Sequence, residues 1–139
     1  MSAPPVLLDT CALIWLGENE TVSLEASEAL DDCWREGIPV LVSPISAWEL
    51  GLLTAKGRLS LSAPPSRWFA NFVRRAQVTL TEATATALIE ASYLPGEPPN
   101  DPADRMLLAT ARELGCRLLT RDGKLLAYAR AGHVQAVAC

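Results

Sequence analysis

The segment Val6-Leu7-Leu8-Asp9-Thr10 decides how this chain is read. Three successive apolar residues with no polar alternate describe a short strand buried on both faces, and such strands belong to parallel sheets. The run stops abruptly at a carboxylate. The same grammar returns twice. Val40-Leu41-Val42 leads into Ser43-Pro44, where the serine suits a helix cap and the proline the first helical position. Arg117-Leu118-Leu119-Thr120 leads into Arg121-Asp122.

Helical signals fill the intervals. Residues 11–16 are apolar and break at Gly17. Ser23 can cap a helix whose Ala26, Ala29, Leu30, Cys33 and Trp34 recur at i, i+3, i+4, i+7 and i+8, and Gly37 ends it. A helix opened by Ser43-Pro44 runs to about Lys56. Residues 68–76 read as helix, 77–80 as a weak strand, and Thr81 as the cap of a helix with Ala85, Leu88, Ile89 and Ser92 in register. Residues 94–102 form a Pro/Gly-rich loop. Asp101-Pro102 opens a helix that stops at Gly115, residues 122–130 make a short helix, and 134–137 a last strand. Strands that alternate with helices throughout predict an α/β fold: a three-layer α/β/α arrangement with a central parallel sheet of four to five strands. Its crossovers should be right-handed.

The 139 residues suit one domain spanning 1–139. Half are apolar and one fifth charged, which excludes a disordered tail or a disulfide-held scaffold. The formal charge of −4 argues against a simple basic nucleic-acid clamp. Cys11, Cys33, Cys116 and Cys139 are scattered without a C-x-x-C pair, so reduced, mostly buried cysteines are expected rather than zinc or disulfides. The start, Met-Ser-Ala-Pro-Pro, reads as no signal peptide, and no apolar run approaches the ~20 residues of a membrane span. The expected location is the cytoplasm.

In parallel sheets ligands bind beyond the carboxyl ends of the strands. Four carboxylates stand there: Asp9, Glu49, Asp104 and Asp122. Each has an ordinary reading: Asp9 and Asp122 as helix caps, Glu49 as a solvated helix residue, and Asp104 as half of a capping box with Asp101. Together they suggest one acidic pocket. Two carboxylates ~4 Å apart repel by about 4 kcal/mol at an effective dielectric of 20, so a cluster must bind protons or a cation. Oxygen ligands without His or Cys select Mg²⁺ or Mn²⁺, the apparatus of metal-assisted phosphodiester hydrolysis.

The segments Leu7-Leu8-Asp9-Thr10, Ser46-Ala47-Trp48-Glu49-Leu50, Asp101-Pro102-Ala103-Asp104-Arg105 and Leu118-Leu119-Thr120-Arg121-Asp122 resemble the PIN domain, and more narrowly the VapC-type ribonuclease toxins of type II toxin–antitoxin systems. The resemblance covers nearly the whole chain. It implies a PIN-like fold and an endoribonuclease that acts on RNA with Mg²⁺ or Mn²⁺. Asp9 and Asp104 would be the principal metal ligands, with Glu49 and Asp122 completing the pocket and Thr10 and Thr120 supporting it. Arg105 would be a substrate or structural contact. The resemblance also implies a homodimer and a cognate antitoxin. One departure stands out: many toxins of this branch carry a His where this chain has Pro99.

Arg121 and Lys124 flank Asp122 and could meet a substrate phosphate. Lys56, Arg58, Arg67, Arg74 and Arg75 form either a solvated face or a phosphate-guiding rim. Trp15, Trp34, Trp48 and Trp68 are expected as core or dimer contacts rather than base-stacking groups. Cys11 is expected in packing, and His133, the only histidine, has no triad to join. Two other readings compete. An aspartyl-phosphate domain, receiver or dehalogenase-like, would need a second acid near Asp9, where Cys11 stands instead. A non-catalytic interaction module of the same fold would not need the acids at all.

Overall fold

The computed structural model describes residues 3–139. Met1 and Ser2, read above as part of the chain start, lie outside the described residues. The strands are β1 (Val6–Leu8), β2 (Val40–Val42), β3 (Thr79–Leu80), β4 (Arg117–Thr120) and β5 (Gln135–Ala138). They form one sheet in the order β3-β2-β1-β4-β5, and every pairing is parallel. The helices are α1 (Thr10–Gly17), α2 (Leu24–Glu36), α3 (Pro44–Ala55), α4 (Pro65–Arg75), α5 (Ala85–Glu90), α6 (Pro102–Leu114) and α7 (Gly123–Arg130). The expected three-layer arrangement is present, with five strands.

Alternation along each strand feeds two cores. Val6, Leu8, Val40, Val42, Leu119 and Val137 face one layer, where Leu13, Leu30, Leu50, Trp68 and Phe72 pack on them. Leu7, Leu41 and Leu118 face the other, against Leu108, Leu125 and Tyr128. Because both faces are covered, the central strands carry no polar alternates. β1 lies between β2 and β4 and pairs with both through Leu7, opposite Leu41 and Leu118. Its carboxyl end is therefore central, and Asp9 emerges there.

Several element boundaries differ from the sequence reading. Thr81 does not cap α5. Its N–H continues the sheet by donating to Val42 O at 2.8 Å, and Thr84 caps instead, accepting from Ala87 N at 3.1 Å. The face of α5 also differs. Ala87 and Ala91 are buried against Ala109 of α6, while Leu88 and Ile89 are exposed. Small residues allow the two helices to pack closely, so the larger side chains point away. Helix α4 begins at Pro65 rather than residue 68, because Pro64 O accepts from Trp68 N at 2.8 Å. The weak strand at 77–80 shrinks to Thr79–Leu80, since Gln77 adopts a left-handed φ of 54°. The last strand sits one residue later than expected, with Ala138 opposite Thr120. Among the described residues no helix is long and apolar enough to cross a membrane.

Candidate active site

Asp9, Glu49, Asp104 and Asp122 come from four different segments and line one cleft of about 230 Å³, together with Thr10, Cys11, Trp15 and Arg121. Two larger clefts lie elsewhere. One, of about 890 Å³, runs between α6, α7 and β5 beside Arg112, Arg130 and His133. The other, of about 570 Å³, lies under residues 96–100. Neither gathers carboxylates, so chemistry rather than size singles out the smallest of the three.

Each acid is placed by a local device. Asp9 caps α1, with Oδ1 accepting from Ala12 N at 2.7 Å, while Oδ2 accepts from Thr120 Oγ1 at 2.5 Å. Capping and pocket membership, set against each other in the sequence, are two uses of one carboxylate. Thr120 Oγ1 also accepts from Asp122 N at 3.0 Å. Asp122 in turn caps α7, accepting from Lys124 N at 2.7 Å and Leu125 N at 3.2 Å.

On the other side of the cleft, Ser43 accepts from Ile45 N at 3.1 Å and starts α3 with Pro44 in its first turn. Ser46 and Glu49 then share a face. Thr10 Oγ1 donates to Glu49 and is hydrogen bonded to the buried Ser46 hydroxyl at 3.0 Å. Glu49 is therefore tethered rather than freely solvated. The sequence did not single out Ser46, although its i−3 spacing from Glu49 carries the signal.

Asp104 is the exception. Asp101 caps α6 by accepting from Asp104 N at 2.9 Å, but the return half of a capping box is absent among the described hydrogen bonds. Burial pushes the Asp104 carboxyl up to about 7, and Asp101, Asp122, Glu49 and Asp9 push in the same direction, with nothing opposing them. Burial also raises Asp9, against the hydrogen bonds from Thr120 and Ala12. It raises Glu49 too, against the Thr10 hydrogen bond. Burial is the main cause in all three, and the neighbouring carboxylates add to it, while Arg121 opposes the shift at Asp9. Asp101, read above only as a cap, is one of those carboxylates at Glu49 and Asp104.

The donor set suits a hard divalent ion, being all oxygen and spread over separate elements. Among the described residues no three His, Cys, Asp or Glu side chains are arranged to hold an ion by themselves. Mg²⁺ is ordinarily held by one or two carboxylates, with waters and substrate phosphates completing the shell. The carboxylates lining the cleft fit that mode.

The basic residues divide differently from their sequence reading. Arg105 does not face the cleft. Its Nε donates to Pro99 O at 2.7 Å and its Nη1 to Ala91 O at 3.4 Å, holding residues 92–101 against α6. Of the substrate and structural roles implied for Arg105, these bonds supply the structural one. They also show what Pro99 does here: its carbonyl anchors the loop. Lys124 is exposed and lines the separate cleft under 96–100. Arg121 does line the acidic cleft. Lys56, Arg58, Arg67, Arg74 and Arg75 are exposed, and none lines it.

Trp68 is the one tryptophan buried in the core, stacked on Phe72 with ring centroids 5.5 Å apart. Trp34 and Trp48 are exposed, and Trp15 is half-buried in the cleft wall. Cys11 is exposed at the cleft rather than packed as expected. Burial of its thiol and the four surrounding carboxylates push it up to about 11, so it stays a thiol and not a nucleophile. All four cysteines are free, with Cys33 and Cys116 buried.

Comparison with known proteins adds four findings. A family model described as PIN domain matches residues 6–131. Ribonuclease VapC22 of Mycobacterium tuberculosis is 37% identical over 127 residues, covering 88% of this chain and 91% of that protein. The VapBC2 structure from Rickettsia felis, bound to a promoter DNA fragment, superposes with a TM-score of 0.66 at 12% identity, over 95% of this chain and 96% of that one. The DNA-bound VapBC structure from Salmonella typhimurium gives a TM-score of 0.64 at 19% identity, over 96% and 97%. At those identities the two structures speak for the fold alone.

Proposed function

The chain belongs to the PIN-domain family, and from that membership we propose that it is a VapC-type toxin, a Mg²⁺- or Mn²⁺-dependent endoribonuclease that hydrolyses phosphodiester bonds of RNA. The observation that carries the reading is the convergence of four carboxylates on one cleft, with Asp104 uncompensated. Asp9 and Asp104 would hold the ion, and Glu49 and Asp122 would complete the acidic wall. A bound divalent ion supplies charge stabilisation at the phosphoryl oxygen and a water of lowered pKa.

The chain's own residues set the stage for that chemistry. Thr120 fixes one oxygen of Asp9, the α1 N-terminus fixes the other, and Thr10 orients Glu49. Asp104 contributes as a carboxylate only when its proton has left, so occupancy of the cleft by an ion releases protons. Thr10 and Thr120 support the site through their hydrogen bonds to Glu49 and Asp9. Arg121 and Lys124 remain the basic groups nearest Asp122 in sequence, and Arg121 is the one in the cleft.

The proposal extends to partners. The named relative is a ribonuclease, and the structural neighbours are VapBC assemblies, in keeping with a cognate antitoxin for this chain. A homodimer is proposed as well. Trp48, Leu80, Ile89 and Tyr93 are large apolar side chains left exposed and available for burial. The cytoplasm is the proposed location.

The deciding experiment is cleavage of single-stranded and structured RNA by the purified, antitoxin-free protein with Mg²⁺ or Mn²⁺, with EDTA, and beside Asp104→Asn. Cleavage that requires both the ion and Asp104 is expected. Cleavage unchanged in Asp104→Asn overturns the site assignment, and no cleavage with either ion overturns the nuclease reading.

A further inference from the structure

We propose that Trp15 and Arg121 form a nucleobase-stacking subsite beside the acidic cleft, which holds an unpaired base of the RNA next to the bond to be cut. The inference rests on the nuclease reading and adds the feature of the substrate that this wall recognises.

Both residues line the cleft. Trp15 lies one helical turn after Cys11 on α1, and Arg121 stands between Thr120 and Asp122. The guanidinium carbon of Arg121 sits 3.6 Å from the indole centroid of Trp15. Its Nε donates to Cys139 O at 3.1 Å and its Nη2 to Thr21 O at 3.4 Å. Three contacts thus immobilise the group, and yet Arg121 remains exposed. One face of the planar guanidinium is covered by the indole, and part of its edge is used by the two carbonyls. What it still offers outward is its second face.

A flat, fixed cation backed by an aromatic ring is a stacking platform. Bases stack on aromatic and guanidinium planes in single-strand recognition, and the arrangement asks nothing of the donors at the guanidinium edge. Charge favours a base here over a phosphate. Asp9, Asp104 and Asp122 line the same cleft and repel a phosphate that arrives without its ion, whereas a neutral base meets no such cost. The platform and the four acids line the same cleft of about 230 Å³, so a base stacked on it belongs to a nucleotide close to the acids.

The test uses a short single-stranded RNA in which one nucleotide at a time is replaced by an abasic ribose. Binding is read by fluorescence anisotropy with Mg²⁺ on Asp104→Asn protein, alone and combined with Arg121→Lys or Trp15→Phe. Cleavage of the same series is read on the parent protein. Arg121→Lys keeps the charge and loses the plane, and Trp15→Phe keeps an aromatic ring of smaller area should the lysine variant fold poorly. The expected result is one position where loss of the base weakens binding about 10-fold or more. That penalty should shrink severalfold in both variants, while abasic substitution elsewhere has the same small effect in all of them. Equal tolerance of abasic sites at every position overturns the proposal, as does a penalty unchanged in both variants, which would mark a base held by other residues. The two readings fail separately: cleavage indifferent to every base sinks the subsite alone, and base-selective binding without metal-dependent cleavage sinks the nuclease alone.

Discussion

The hydroxyl of Thr120 donates to Asp9 Oδ2 at 2.5 Å, joining the carboxyl ends of two adjacent strands across 111 positions of sequence. The same oxygen accepts from Asp122 N, so one side chain orders two of the four acids. The hydrogen bond opposes the burial that raises the Asp9 carboxyl.

Replacing Thr120 by valine removes that opposition. Asp9 then holds its proton to higher pH, and the acid limb of the cleavage pH profile moves upward. Leaving buried polar groups without their partner also costs about 1–3 kcal/mol of stability. Thr120→Ser keeps the hydroxyl and should leave the limb in place. A profile in Thr120→Val identical to that of the parent protein refutes the link.

Stability should depend on pH through Asp104. Its folded-state value of about 7 lies above the ordinary 3.8. Protonation therefore favours the folded state, and the contribution is complete below the unfolded value and lost as pH rises toward 7. Asp9 and Glu49 act in the same direction. The ion-free protein should melt higher at pH 5 than at pH 8, and Asp104→Asn should flatten the difference, raising the melting temperature at pH 8 by about 3–6 °C. Added Mg²⁺ should stabilise the parent protein at pH 8 more than the variant. Thermal melts at the two pH values check the sign, and equal pH dependence in both proteins would contradict it.

Arg105 should behave as an anchor of the loop. Arg105→Met loses the bonds to Pro99 O and Ala91 O and should cost roughly 1–3 kcal/mol in chemical denaturation. The salt dependence of RNA binding should keep its slope, because no phosphate contact is lost. A slope reduced by about one would make Arg105 a substrate contact instead.

Two glycines should respond in opposite ways. A Cβ on Gly17 would meet the Trp68 ring at 2.3 and 2.6 Å, and that ring is buried and stacked on Phe72. Gly17→Ala should destabilise by about 1–3 kcal/mol. A Cβ on Gly51, inside α3, meets nothing within 4 Å, so Gly51→Ala should stabilise by about 0.5–1 kcal/mol. Denaturation midpoints of the two variants decide both signs.

The layers of the fold are legible in the sequence because β1, β2 and β4 are covered on both faces, which leaves unbroken apolar runs. Helix α5 is misread because its larger apolar residues, Leu88 and Ile89, point outward and its alanines pack inward. Thr81 and Thr84 are equivalent as cap candidates until the ladder claims the first. The four acids are legible because Asp9 and Asp122 follow strand ends and cap helices, and Glu49 and Asp104 lie in the early turns of helices. The hydrogen-bond partners of Arg105 and Arg121 are not, because they are backbone carbonyls, and no side-chain pattern encodes those. The contact between Trp15 and Arg121 is hidden for a related reason: only the fold brings Arg121 onto its ring.

The pairing of β1 with β4 has a consequence for the birth of the protein. Asp9 is made 111 residues before its partner Thr120, and the capping Asp122 follows later still. A nascent chain can fold α1, α2 and α3 and still lack one wall of the cleft until β4 leaves the ribosome and docks beside β1. The cleft therefore forms only after synthesis has passed β4. A chain interrupted before residue 117 would carry three of the four carboxylates and have no assembled site.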